Sequence, residues 1–335
     1  MTLCTAWIRQ ANEFEELIFA TDSCLSAGER WHSGVKLFEL PRKDCLLCFA
    51  GDTNRTYTLI LNLISSIKFD SHLSNPHTDI VDVLEYLTDL FTNLCNSITN
   101  YEPQSFKEAL GDFQFMFGGW SWKKSKFRVW KLIYNHELKA FIHIEFNEDN
   151  MYFGFIGDET DKAEELLTEE LSKNKKVLSR NFDMEPMKVL LKMIREKEFD
   201  SIDGAIQMAK IYPPGITEFF GVMWPSYLGR KTFLGKDVNF EHKPSVKYLD
   251  PDTCEIMGED VPMRIIEPIE EIYGVNYNFI KDCYSEENFQ LKRNISERQK
   301  MTLKIIFKEV AYKEFLKLQN EEIDEEVDEE QIVEE

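Results

Sequence analysis

The stretch TLCTAWIRQANEFEELIFATDSCLSAG, residues 2–28, decides the fold. Two apolar runs, TLCTAWI and ELIFATDS, flank a polar turn around RQANEFE and read as two short strands. GVKLFEL follows, then PRKDC as a turn, then LLCFAG, so the first fifty residues hold four strands. At AGDTNRTYTLILNLISSI the period changes. Tyr57, Ile60, Leu63, Ile64 and Ile67 recur at helical spacing, with Asp52 or Thr53 placed to cap the start. A second helix runs through TDIVDVLEYLTDLFTNLCNSI, with Thr78 as its N-cap and an apolar stripe from Ile80 to Phe91.

Strands return at FQFMFGGWSW, FRVWKLIYN, AFIHIEF and MYFGFIG. Helical patterns follow at DETDKAEELLTEELSKN and MEPMKVLLKMIREKEF, then strands at AIQMAKIY and EFFGVMW. Strand groups separated by helix pairs do not suit a doubly wound parallel sheet, in which strand and helix alternate singly. They predict an α+β fold: two antiparallel sheets face to face, with helices covering the outer faces. This domain is expected over 2–223. An extension over 224–316 holds a hairpin around SYLGRKTFLGKDV and further helices, and 317–335 form an acidic, disordered tail.

Composition narrows the function. The chain has 335 residues, 43% hydrophobic, enough for a sizeable core. No early run resembles a signal peptide and no stretch approaches the apolar length of a membrane span, so a soluble, cytoplasmic protein without a membrane partner is expected. Net charge is −21, and the last fifteen residues alone hold ten carboxylates and no Lys or Arg. Nucleic acid needs a basic face, and none is evident. Cys45 and Cys48 form CLLC in an apolar run, with no second pair to complete a zinc site; they read as buried strand thiols. No metal and no cofactor is expected.

The motif search removes most chemistries. There is no G-x-S-x-G elbow, phosphate-binding glycine loop, H-E-x-x-H or dinucleotide fingerprint, and the six histidines are scattered. The beginning of the chain remains. Loss of Met1 leaves Thr2 with a hydroxyl and a free α-amine, a self-contained nucleophile and base. Thr2 opens the first strand, Asp22 ends the second, Lys36 lies in the third, and Gly51 stands where the fourth enters the first helix. The four can converge at one end of a sheet. Lys36 would favour the deprotonated hydroxyl and amine, Asp22 would keep Lys36 charged, and the Gly51 N–H would bind an oxyanion.

The run TLCTAW…IFATDSCLSAG…VKLFEL…CFAGD also resembles the proteasome β-subunit family of N-terminal-nucleophile hydrolases, including its bacterial ring-peptidase relatives. The resemblance covers about residues 2–223 and matches Thr2, Asp22, Lys36 and Gly51 to the nucleophile, aspartate, lysine and oxyanion glycine. It implies a four-layer αββα sandwich and a threonine-type amidohydrolase acting on a peptide or amide substrate, with a capacity to form homo-oligomers. Three departures stand out. Cys24 replaces a frequent arginine, and Asp158 with Glu159 replaces the Ser-Gly pair that supports the terminal amine. A late Asp-x-x-Ser-Gly motif survives only as FDSIDG, out of register, which makes Asp200 and Ser201 secondary candidates beside Asp158. These departures and the long extension motivate two alternatives: a catalytically inactive binding or assembly module of the same fold, and a small-molecule amidase or acylase.

Overall fold

A computed structural model of the chain describes residues 2–11, 14–27, 29–75, 77–100, 110, 113–146, 153–173, 182–196, 199, 202–213, 215–238, 244–257, 277–284 and short stretches between 291 and 310. Strand β1 (Leu3–Ala11) sends Leu3 and Trp7 into one core and Cys4, Ala6 and Ile8 into another. Strand β2 (Phe14–Thr21) divides likewise, with Ile18 and Ala20 opposed to Leu17 and Phe19. Successive strand side chains point to opposite faces, so strands apolar on both faces must be covered on both. The two pair antiparallel from Cys4↔Thr21 to Ala11↔Phe14.

A small hairpin, β3 (Leu25–Ala27) with β4 (Glu29–Trp31), follows, which the sequence pattern did not announce. The expected strand GVKLFEL contracts to β5 (Leu37–Glu39), leaving Lys36 just before it in non-strand backbone. The Gln207 side-chain oxygen accepts the N–H groups of Lys36 and Leu37 at 3.0 and 3.2 Å, doing locally what a neighbouring strand would do. Strand β6 (Cys45–Ala50) is buried throughout, including the free thiols Cys45 and Cys48.

Helix α1 (Thr53–Phe69) is capped by Asp52, whose Oδ1 accepts the Asn54 and Arg55 N–H groups. One turn, α2 (Ser71–Ser74), leads to α3 (Ile80–Asn96). Asp79, and not Thr78, caps α3. The Thr78 hydroxyl donates instead to the His72 carbonyl, while the fully buried Asp79 carboxylate accepts from the Val81 N–H, the Ser121 hydroxyl and the Lys123 N–H. The longer list of donors decides which of two adjacent cap-forming residues serves.

Strands β7 (Gln114–Ser121), β8 (Lys126–Asn135), β9 (Ala140–Glu145) and β10 (Phe153–Gly157) come next, then α4 (Thr160–Lys173), α5 (Glu185–Glu196), β11 (Gln207–Tyr212) and β12 (Ile216–Met223). They form two antiparallel sheets, β10-β1-β2-β11-β12 and β5-β6-β7-β8-β9. Three cores follow. Cys4, Phe19, Leu46, Met116 and Ala209 pack between the sheets. Trp7, Ile18, Leu167, Leu190 and Met208 pack the first sheet against α4 and α5, while Phe49, Phe115, Ile60, Val83 and Phe91 pack the second against α1 and α3.

The expected hairpin appears as β13 (Lys231–Phe233) and β14 (Lys236–Asp237), which continue the first sheet beyond β12. Strand β15 (Tyr248–Leu249) pairs parallel with β12 and antiparallel with β16 (Ile256–Met257). Helix α6 (Tyr277–Cys283) belongs to a separate apolar cluster with Ile295 and Leu303. This cluster is tied to the sandwich by the Tyr284 hydroxyl on the Pro213 carbonyl and by Lys304 on Ser125. Both anchors are turns at the end of the strands away from Thr2. No helix among the described residues is long and apolar enough to cross a membrane.

Asp79 joins α3 to the β7–β8 turn, so Asp79→Ala removes a cap and leaves buried donors unmet. A loss of about 2 kcal/mol is expected, read as a lowered urea midpoint with an unchanged slope.

Candidate active site

One end of the two-sheet core gathers the start of β1, the ends of β2, β6 and β10, and the starts of β7 and β11. Antiparallel pairing brings this about: Cys4 lies opposite Thr21, Leu3 opposite Gly157, and Gln207 opposite Thr21. Chain beginnings and endings therefore fall together. Thr2, Asp22 and Lys36 are all buried there, the latter two completely.

Asp22 is the hub. Its carboxylate takes the Lys36 ammonium at 2.9 Å on Oδ1 and 2.8 Å on Oδ2. Oδ1 also accepts the Leu3 N–H at 3.1 Å, and Oδ2 the Cys24 N–H at 3.0 Å. Burial pushes the Asp22 carboxyl above the ordinary aspartate value, and Lys36 with the two N–H groups pulls it back. One oxygen thus holds both the lysine and the residue next to Thr2, which fixes the ammonium beside the first strand's start.

Two residues absent from the sequence reading complete this arrangement. Gln207 is fully buried; its oxygen holds the Lys36 and Leu37 N–H groups, and its Nε2 donates to the Gly34 carbonyl at 2.5 Å. It locks the backbone that presents Lys36. Asp203 sends its N–H toward Asp22 Oδ2 at 3.4 Å and pairs its carboxylate with Arg30 at 2.9 Å. Gln207 lies 171 residues along the chain from Lys36, and no local pattern marks it. Asp200 and Ser201 lie outside the described residues.

A cleft of about 430 Å³ opens over this end. Thr2, Gly51, Asp52, Gln114, Gly157 and Asp158 line it, together with Leu25 and Ser26 from β3. Gly51 has φ +114°, a backbone conformation that side chains disfavour, and so turns the chain sharply from β6 into α1. Gly157 has φ +108°, and a Cβ there would stand 1.9 Å from the Thr2 carbonyl oxygen. Only glycine fits this close approach. It brings the Asp158 N–H onto the Thr2 carbonyl at 2.8 Å and the Asp158 Oδ2 to 2.6 Å from the Thr2 nitrogen. That nitrogen is a peptide N–H while Met1 is attached and occupies the position of a free amine once it is gone. Among the described residues no group of three His, Cys, Asp or Glu side chains stands close enough to hold a metal ion.

The chain is thus an α+β protein of two antiparallel sheets, with a cleft lined by Thr2 and a buried lysine–aspartate pair bonded to the N–H of the next residue, Leu3. No family model and no curated protein matches it. It is similar in structure to three solved proteins. One is the Anbu (Gly-1) mutant from Hyphomicrobium sp. strain MC1, 15% identical, covering 62% of this chain and 80% of that one at a TM-score of 0.40. The second is Anbu (ancestral beta-subunit) from Yersinia bercovieri, 16% identical, covering 62% and 81% at 0.43. The third is the helical assembly of the Anbu complex from Pseudomonas aeruginosa, 15% identical, covering 65% and 85% at 0.46.

Lys36→Ala leaves the Asp22 carboxylate buried with no cation. A destabilisation of about 3–5 kcal/mol is expected, and the Asp22→Asn, Lys36→Met double variant should recover a large part of it. Denaturant titrations of the native chain, Lys36→Ala and the double variant check this; equal midpoints for the two variants would contradict it.

Proposed function

We propose that the chain is a threonine-type N-terminal-nucleophile amidohydrolase, acting on peptide or amide bonds, with the four-layer αββα sandwich of that class. The observation that supports this reading is that Thr2, Gly51 and Asp158 line one cleft, with the buried Lys36–Asp22 pair bonded to the N–H of Leu3, the residue after Thr2. Cleavage of the Met1–Thr2 bond gives Thr2 a free amine. The Thr2 Oγ attacks the substrate carbonyl and its proton passes to that amine, directly or through one water. The Lys36 ammonium, held in place by both oxygens of Asp22, stabilises the deprotonated hydroxyl. The oxyanion is met by the Gly51 N–H at the entrance to α1, where the peptide dipoles of the helix also favour negative charge. The amine then returns its proton to the leaving nitrogen, and water, deprotonated by the same amine, hydrolyses the Thr2 ester. The arrangement requires no cofactor.

Intact mass of the purified chain is expected to lack Met1. A peptide epoxyketone or β-lactone should add to Thr2, and Thr2→Ala, still folded, should lose labelling and at least about 10³-fold in hydrolysis. A folded Thr2→Ala protein with full activity would falsify the mechanism. A chain that keeps Met1 and reacts with neither probe is instead the inactive binding or assembly module. Labelling at Thr2 with turnover of small amides but not peptides identifies the acylase alternative.

A further inference from the structure

The mechanism above asks the Thr2 amine to accept a proton, yet the group nearest to that nitrogen is an anion. The Asp158 Oδ2 lies 2.6 Å from it, and the Thr2 nitrogen is the hydrogen-bond partner of this carboxylate among the described residues. The contact is imposed by the backbone. Gly157, at φ +108°, folds the end of β10 around the Thr2 carbonyl, and the Asp158 N–H and carboxylate grip both sides of the same residue.

We propose that, once Thr2 is N-terminal, Asp158 is the positioning residue that pairs with its α-ammonium and delays release of the proton until the solution is alkaline. This rests on the hydrolase reading only in taking Thr2 as the first residue of the working chain. A hydroxyl in the same place could accept a hydrogen bond from the amine without carrying charge. A carboxylate at ion-pair distance stabilises the charged form, raising an α-amine from its reference near 8 by about 1 unit or more.

The surrounding charges do not cancel this. Lys36, the cation beneath the cleft, is matched by both oxygens of Asp22. Asp52, on the same cleft, is paired with Arg55 at 3.0 Å. Glu159 and Asp161 follow Asp158 on its own connection, are exposed, and carry the same sign. The walls from β3 and β7 offer Leu25, Ser26 and Gln114, all uncharged. The free base therefore becomes abundant only above neutral pH, and the hydrolytic rate should climb with pH along the same curve.

The test needs no substrate. The full chain is released from an N-terminal fusion by a protease that cuts directly before Thr2, which fixes the terminus whatever the cell does with Met1. Acetylation by an N-hydroxysuccinimide ester is then followed across pH 6–10 in the tryptic peptide TLCTAWIR, residues 2–9, whose one amine is that of Thr2. The half-point of labelling is expected about one pH unit or more higher in the native chain than in Asp158→Asn, so native labelling near pH 7.5 is slower by roughly tenfold. Asp52→Asn should leave the half-point in place, and Asp158→Glu, which keeps the charge, should retain most of the shift. Coincident half-points for the native chain and Asp158→Asn overturn the proposal. Should Asp158→Asn not fold, coincident half-points for Asp158→Ser and Asp158→Glu do the same. A shifted half-point in a protein that no epoxyketone labels sinks the hydrolase reading and leaves this one standing.

Discussion

The rest of the structure depends on the Lys36–Asp22 ion pair, enclosed at the end of the two-sheet core with both side chains fully buried. Two charges removed from water are stabilised only by close mutual contact and by hydrogen bonds to their remaining atoms. Asp22 meets that condition with the ammonium on both oxygens and the Leu3 and Cys24 N–H groups. Those groups come from the start of β1, the end of β2 and the segment before β5, which belong to different sheets. The pair therefore acts as a pin between the layers. Replacing it with apolar side chains would stabilise the fold about as well. In the mechanism proposed above its charge has a second use, because a lysine ammonium near a hydroxyl favours the deprotonated form.

Support for this pin reaches outward in a definite order. Gln207 fixes the backbone that carries Lys36, and β11, which begins at Gln207, is the central neighbour of β2 and β12. The small hairpin β3–β4 hangs beside it, its Arg30 tied to Asp203. On the other sheet, Gln114 at the start of β7 accepts the Gly157 N–H at 3.2 Å and so joins the second sheet to the turn that presents Asp158. The backbone at Lys36 and the turn at Gly157 are thus each held by a side chain from another element, as a site requiring fixed geometry would be.

How much of this could be read from the sequence varied with the range of the interaction. The double-sided apolar alternation of β1 and β2 and the helical stripes of α1 and α3 are local patterns, and both predicted the observed elements. Thr2, Asp22 and Gly51 stand out as candidates because each lies at the boundary of such an element, and antiparallel pairing brings boundaries together; Lys36 is singled out within its predicted strand. Boundaries themselves were less legible. Thr78 and Asp79 are both good N-caps, and only the distant Ser121 and Lys123 make Asp79 the better one. Lys36 was expected inside a strand because GVKLFEL is apolar and extended; the side chain of Gln207, 171 residues away, ends that strand early. No single-sequence period encodes such a contact. Asp158 was visible as a departure from the pattern that the early motifs resemble, but its 2.6 Å contact with Thr2 follows from Gly157, whose positive φ the sequence does not display.

The segment after β12 extends the same logic to the outside of the molecule. Strands β13, β14 and β15 lengthen the first sheet at its β12 side, away from β10 and β1. The apolar cluster around Ile280 and Leu303 is anchored on Pro213 and Ser125, at the turns β11–β12 and β7–β8. Since β11 runs from Gln207, at the cleft, to Tyr212, next to Pro213, these anchors lie a full strand length from Thr2. Roughly 17–20 Å separates the ends of a six-residue strand. The described part of the extension therefore reinforces the far end of the sandwich and one sheet edge. Among the described residues, the cleft is lined by β3 and by the loops that bear Gly51 and Asp158, and not by the strands and helix that follow β12.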